Sequence, residues 1–589
     1  MKPLYYLNKY LLKYKGRLFL GIVFIVISNF IKVEMPQIVK NAVNLFKENV
    51  DLLKSSSETE LIHGQLIENA IYLALLYIGL SIVSGFFLFL TRQTIIIMSR
   101  FIEYDLKNEI YSHYQKLTPS FYKRFNTGDL MNRISEDVSK VRMYVGPAIM
   151  YTINLVFLSV LTIYYMLSVN VELTLYALSP LPIMTIMIYF ISRLMNKRSE
   201  ELQAQQSIIS SFVQESFSGI RVVKAYNLQN NLNQSFLKEA KLYKKKAMNL
   251  ATINAFFFPV IVLLIGISTI MTIYIGGIKA NEGLISTGDI AAFVIYVNML
   301  TWPFASVGWV TSMVQRAGAS QKRINEFLEE IPEIQNIQNP KAFENGIIEF
   351  KDVTFIYSDS GITALKNISF ALPKGKTLGI IGETGSGKTT IVNLIARLYD
   401  ATKGEINVNN ELIKNIDLQQ LRKEIGYVPQ DAFLFSDTIS NNIKFGLLKE
   451  EKNSEKLVIQ ASKDAHIYEN IVGFKEGFET IVGERGITLS GGQKQRVSIA
   501  RAIIKKPEIL IFDDCLSALD TETEHIILKN LKRIMANKTS VIISHRISSL
   551  QHADIIIVLK DGEIIEQGNH HELMDSKGYY FGLYEKQKG

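Results

Sequence analysis

Six apolar runs, each long enough to cross a bilayer, crowd the first 313 residues and constrain the fold more than any other feature of the chain. They fall at roughly 18–39, 70–91, 144–167, 173–192, 252–277 and 290–313, and a spanning helix needs about 20 mostly apolar residues. Pro36, Pro147, Pro180, Pro182, Pro259 and Pro303 lie in or near them. A bilayer helix tolerates proline because neighbouring helices satisfy the freed carbonyls. The pattern predicts an all-α membrane domain of six helices with both ends on one side.

Lysine and arginine set its orientation. Residues 1–17 carry five basic side chains and no acid, whereas 41–68 has only Lys47 and Lys54 against five carboxylates. The connection 92–142 has nine basic residues, Ser168–Glu172 has none, 193–248 has ten, and the last short loop has Lys279 alone. This alternation predicts a multi-pass protein of the cytoplasmic membrane, both termini cytoplasmic. The formal charge of +8 is therefore largely a topology signal, which argues against a nucleic-acid partner. The first run exceeds a signal-peptide core and no small-residue cleavage site follows it, so it is expected to stay. Residues 3–14 mix Tyr and Leu with Lys at helical spacing, which suits a helix lying in the interface; a polar lead-in with snorkelling lysines is the alternative. Lys32 and Glu34 sit inside the first run, where they line a cavity or snorkel. The connections at about 92–142 and 193–250 read as long cytoplasmic helical hairpins, with helices over 100–118 and 194–250.

After residue 320 the composition changes. Residues 1–320 are assigned to the membrane domain, 321–345 to a linker and 346–589 to a soluble-type α/β P-loop nucleotide-binding domain. A single cysteine, Cys515, excludes a disulfide framework and is most simply a small residue after a buried strand. The run Gly382, Glu383, Thr384, Gly385, Ser386, Gly387, Lys388, Thr389 fits G-x-x-x-x-G-K-[ST] in full, with Thr390 following. It lies between an apolar strand and a helical pattern. Its glycines let backbone N–H groups surround phosphate oxygens, Lys388 reaches the β/γ-phosphates, and the Thr389 hydroxyl is offered to Mg²⁺. Ile509–Phe512 ends in Asp513, which supplies the second Mg²⁺ anchor. ATP and Mg²⁺ are the expected cofactors.

Between these elements stands Leu489-Ser490-Gly491-Gly492-Gln493, ahead of a helical pattern. With it the chain resembles ATP-binding cassette (ABC) transporters, as an exporter half-transporter of multidrug or lipid-exporter type, along essentially its whole length. The resemblance implies that Ser490, Gly491, Gly492 and Gln493 act on ATP held by the opposite subunit. It implies that Tyr357 stacks on adenine, that Gln430 senses Mg²⁺ and contacts the membrane domain, and that His545 contacts the γ-phosphate. Val482–Gly486 resembles an exporter segment that touches the hairpins, and Ser517–Asp520 the loop crossing the dimer interface, with Asp520 at the nucleotide. Phe121–Asp137 and Gln214–Tyr226 are similar to the family's intracellular loops.

One position departs from the family. Where a glutamate normally acts as general base, this chain has Asp514. Aspartate is shorter by roughly 1.3 Å of reach, and misplacement by about 1 Å can cost about 10²-fold in rate. The substitution resembles one subunit of heterodimeric bacterial exporters, whose own site binds ATP but turns over slowly. A heterodimer is favoured over a homodimer with two active sites. The implied function is ATP-driven export of a small amphipathic, drug-like or lipid-like substrate by alternating access. An ATPase acting on nucleic acid and an ATP-gated channel or regulator are the remaining alternatives.

Overall fold

The structure, a computed structural model, describes residues 2–55, 59–447, 453–483, 489–517 and 521–588, with backbone alone for 51–55, 59–63 and Thr521. The chain divides into two compact units: Met1–Tyr114 with Gly128–Glu330, and Gln115–Thr127 with Ile331–Gly589.

The first unit is helical. Among the described residues, six segments are long and apolar enough to cross a membrane: Lys15–Val50, Gly64–Tyr114, Thr127–Val169, Val171–Ser218, Gln229–Asn281 and Thr287–Leu328. They outrun the apolar stretches of the sequence. The 53 residues of Gln229–Asn281 extend ~80 Å at about 1.5 Å per residue, against a hydrocarbon core of ~30 Å. Pro36, Pro259 and Pro303 lie inside helices, and Pro147 sits in a π turn, Tyr144–Ala148. The helix expected over 100–118 stops at Tyr114, because Pro119 holds Thr118 extended (φ −87°, ψ 163°) and then opens the short helix Pro119–Arg124. The helix expected over 194–250 is two, Pro180–Ser218 and Gln229–Asn281, joined through Gly219 and Ile220–Ala225. The first part of the expected linker is helical, since Thr287–Leu328 continues through 321–328 with Ile324 and Phe327 buried three residues apart on one face.

The last of these helices carries the core of the unit. Phe293, Tyr296, Val297 and Leu300 recur at helical spacing, all fully buried, and pack with Val33, Leu173 and Met184. Several polar groups here are paired. Glu34 accepts from the Tyr165 hydroxyl, Tyr296 donates to the Val33 carbonyl at 3.0 Å, and Lys40 lies 2.7 Å from Asp289. At the N-terminus, Asn8–Lys13 is a short helix pinned by polar side chains on it and flanking it: Tyr6, Lys9 and Tyr10 bond Glu109, while Lys13 and Tyr14 bond Asp105.

The second unit is α/β. Strands β1 (Ile348–Ile356), β2 (Thr363–Leu372), β4 (Lys403–Val408) and β5 (Glu411–Leu412) form an antiparallel sheet in the order β2-β1-β4-β5. Strands β3 (Thr377–Gly382), β6 (Ile425–Val428), β7 (Ile509–Asp513), β8 (Thr539–Ile543), β9 (Ile555–Lys560) and β10 (Glu563–Gly568) form a second sheet, ordered β10-β9-β3-β8-β7-β6. All of its pairs are parallel except the edge hairpin β9–β10. β7 and β8 are buried at every residue, which is why neither alternates and each carries an apolar run, Ile509–Phe512 and Val541–Ile543. The parallel strands bring the segments after β3, β6, β7 and β8 to one edge, where ligands of such sheets bind. Residues 115–127 pack in this unit through buried Phe121 and a Ser120 Oγ–Glu333 bond of 2.6 Å.

Candidate nucleotide site

The phosphate loop takes its shape from two glycines with positive φ, Gly385 (84°) and Gly387 (100°). Gly387 caps the helix Lys388–Ile395, and a Cβ there would stand 2.5 Å from the Ala364 carbonyl oxygen, so only glycine fits. Lys388 is buried within the loop, with Nζ donating to the carbonyls of Gly382 (2.9 Å) and Glu383 (2.7 Å). The Ser386 hydroxyl is buried without a hydrogen-bond partner, a donor available to a phosphate oxygen. Burial lowers the pKa of Lys388, while Asp514 and Asp513 pull it back up.

Opposite the loop, Thr389 Oγ1 donates to Asp513 Oδ1 at 3.1 Å, and the Tyr427 hydroxyl lies 3.4 Å from Asp513 Oδ2. Burial raises the Asp513 carboxyl and the Tyr427 phenol above their ordinary values. A hydroxyl and a carboxylate side by side, both oxygen donors, form a set that fits a hard divalent cation such as Mg²⁺. Asp514 follows at the strand end with φ 43°, its amide held by the Ile543 carbonyl at 2.9 Å. Its Oδ2 is 3.5 Å from Gln430 Nε2 and 4.0 Å from His545 Nε2. Three side chains from the ends of β6, β7 and β8 thus converge on one point.

Most of these groups line one cavity of about 570 Å³, with Ser386 and Tyr427 behind its lining. Of the residues singled out from sequence, Tyr357, Thr384, Gly385, Gly387, Lys388, Thr389, Thr390, Gln430, Asp513, Asp514 and His545 line it. Tyr357 has its hydroxyl 3.0 Å from Thr390 Oγ1 and its ring edge-on to Phe355 and Tyr399. Lys123 Nζ lies 4.5 Å from the centre of the same ring. Gly382, Glu383 and Ser386 do not line the cavity, and the Glu383 carboxylate accepts from the Tyr579 hydroxyl at 2.7 Å. Ser490, Gly491, Gly492 and Gln493 stand apart from it. Ser490 and Gln493 form a reciprocal capping box at the start of the helix Gly491–Ile503, leaving that N-terminus well ordered for an anion. Asp520, and residues 484–486 of the Val482–Gly486 segment, lie outside the described residues. Sequence reasoning missed Lys366, Asp561 and Gly562 as cavity residues and Tyr427 as the partner of Asp513. Asp561-Gly562 carries the signal of a hairpin turn, and nothing local says what the turn faces.

Comparison with known proteins gives concordant matches. The family described as "ABC transporter transmembrane region" matches residues 18–304, and the family "ABC transporter" matches 365–517. The Escherichia coli "Multidrug resistance-like ATP-binding protein MdlA" is 35% identical over 82% of this chain and 82% of its own length. The "ATP-dependent lipid A-core flippase" of Syntrophus aciditrophicus is 33% identical over 82% and 80%. A solved structure titled "Structure of a bacterial Atm1-family ABC exporter with ATP bound" has the same fold, with a TM-score of 0.78 over 98% of this chain and 99% of that one, at 23% identity. The chain belongs to the ABC transporter family, as a multi-pass membrane protein that binds ATP and couples its hydrolysis to transport.

Proposed function

We propose that the chain is one half of a dimeric exporter of small amphipathic, drug-like or lipid-like molecules across the cytoplasmic membrane, with both termini cytoplasmic. Residues 1–320 supply the membrane domain and 346–589 the cassette. Export is supported by the domain order and by relatives whose names specify multidrug resistance and a lipid A-core flippase. The dimer is supported by the tip of the second hairpin, where Phe217, Val222 and Tyr226 are largely exposed, as an apolar surface awaiting a partner would be. It is supported also by the signature segment, which stands apart from this chain's own cavity and acts in trans.

The observation that carries the reading is the convergence of Asp514, His545 and Gln430 beside the phosphate loop. Tyr357 stacks on adenine, while Lys388 and the loop amides hold the β- and γ-phosphates. Thr389 and Asp513 would hold Mg²⁺ and Gln430 would sense it, and the ion would supply charge neutralisation across the phosphates. His545 donates to a γ-phosphate oxygen. Asp514 accepts the proton of the attacking water, from a carboxylate one methylene shorter than its family counterpart. Closure of two cassettes on two ATP molecules shifts the membrane domain from inward- to outward-facing, and hydrolysis resets it.

The short carboxylate supports a slow site and a heterodimer in which this chain's signature segment completes the partner's site. A homodimer is the second reading, supported by His545 and Gln430 standing intact within 4.0 Å of Asp514. The test is ATP hydrolysis by the chain purified alone in lipid, with Lys388→Ala as the blank. Near-silence supports the heterodimer. Turnover of several per second, abolished in Lys388→Ala, supports the homodimer, and turnover that survives Lys388→Ala refutes the assignment of the site.

A further inference from the structure

The helix Tyr579–Lys588 contributes nothing to the phosphate-binding motifs, yet it is bonded to two of the loops that do. Its placement starts from Glu566 on β10, whose carboxylate accepts the N–H groups of Tyr579 and, at 2.9 Å, Tyr580. An anion there suits the positive end of the helix. Tyr580 is wholly buried, with its hydroxyl 2.9 Å from His570 Nδ1, and this fixes the first turn. From that turn Tyr579 donates to Glu383 in the phosphate loop at 2.7 Å.

Eight residues on, ~12 Å along the axis, Gln587 makes two bonds with one amide. Its Nε2 donates to the His545 carbonyl at 2.6 Å, and its Oε1 accepts the Ile547 N–H at 2.9 Å. The side chain closes a bridge across the loop that leaves β8. The His545 ring has weaker restraint, its side chain being 41% exposed with Asp514 4.0 Å away. Where the imidazole points therefore depends on how the backbone at 545–547 is held.

We infer that Gln587 is a positioning residue for His545, and that the helix Tyr579–Lys588 is a strut setting the distance between the histidine loop and the phosphate loop. This rests on the reading of His545 as a ligand of the γ-phosphate. The bond from Gln587 Nε2 is exposed and the one to its Oε1 part-buried, so together they add about one or two net hydrogen bonds to the stability of the unit. Their consequence lies in discrimination: ADP lacks the phosphate that His545 would touch, whereas a non-hydrolysable ATP analogue carries it.

The experiment measures affinity for ADP and for that analogue, using the full chain in lipid nanodiscs with Mg²⁺. The variants are Gln587→Ala, Gln587→Glu, His545→Ala and the double variant Gln587→Ala/His545→Ala. Gln587→Glu keeps an acceptor for Ile547 but sets an oxygen against the His545 carbonyl. His545→Ala is expected to reduce the preference for the analogue over ADP, and both Gln587 variants to reduce it by about three- to tenfold, the worth of one hydrogen bond. ADP affinity stays within about twofold, and the double variant loses no more than His545→Ala alone. If His545→Ala reduces the preference and Gln587→Ala does not, or if Gln587→Ala weakens ADP and analogue equally, the strut is refuted and the reading of His545 stands. If His545→Ala leaves the preference intact, the γ-phosphate reading fails and the strut with it.

Discussion

Replacing Asp514 by glutamate tests whether carboxylate reach limits hydrolysis. The aspartate Oδ2 stands 4.0 Å from His545 Nε2 and 3.5 Å from Gln430 Nε2, so it is seated among the intended partners at the long end of hydrogen-bond reach. One added methylene advances the carboxylate by roughly 1.3 Å, and about 1 Å of misplacement is worth up to about 10²-fold. The expected gain in kcat is about 10- to 100-fold, or ~1.4–2.7 kcal/mol off the barrier. Contacts to ground-state ATP through Lys388, Thr389 and Tyr357 are untouched, so KM holds within about twofold. The substitution also carries a cost. Residue 514 has φ 43°, a left-handed conformation that aspartate adopts more readily than glutamate. A penalty of about 1 kcal/mol lowers the melting temperature by about 2–4 °C. The assay is steady-state ATP hydrolysis in lipid nanodiscs beside the native chain, with thermal unfolding on the same samples. An unchanged or lower kcat, with nucleotide affinity retained, refutes the argument that reach is limiting.

Three further outcomes follow from the same geometry. Tyr357→Ala weakens both ATP and ADP by about tenfold, since base stacking on an aromatic ring is worth about 1–3 kcal/mol; fluorescent-nucleotide titration reads it, and a loss confined to ATP would contradict adenine stacking. Burial raises the Asp513 carboxyl, so the folded unit holds that proton to higher pH than the unfolded chain; the ionised form costs stability above the folded pKa, a cost relieved as pH falls through it. Asp513→Asn therefore raises the nucleotide-free melting temperature near neutral pH while abolishing hydrolysis, and a lowered melting temperature would contradict this. Cys515 is fully buried, which pushes its thiol up in pKa, so the native chain resists maleimide and reacts only on unfolding; rapid labelling of folded protein would show that the strand end is open.

What could be read from sequence was what is local. Membrane spans announce themselves because twenty successive apolar residues have no cheaper explanation, and the phosphate loop because its glycines and lysine are fixed by one tight turn. Helix boundaries were less legible. Pro119 ends a helix four residues before the expected position 118, and the last span runs past 320 because Ile324 and Phe327 find core to bury against. The least legible parts were those joined only in space. Gln587 lies 42 residues from His545, and Tyr579 lies 196 from Glu383. A hydrogen bond across such a separation leaves no period, spacing or compositional trace. For the same reason Lys123 could not be placed over the Tyr357 ring, nor Tyr427 against Asp513.

The central claim, that ATP held at Lys388 drives export, is tested most directly in inside-out membrane vesicles supplied with a lipophilic dye. With Mg-ATP outside, vesicles bearing the chain in its dimer, with a second copy or with a glutamate-bearing partner, should concentrate the dye above its external level, and vesicles bearing Lys388→Ala in the same dimer should not. Dye that merely equilibrates with or without ATP, as through a channel, would contradict the account.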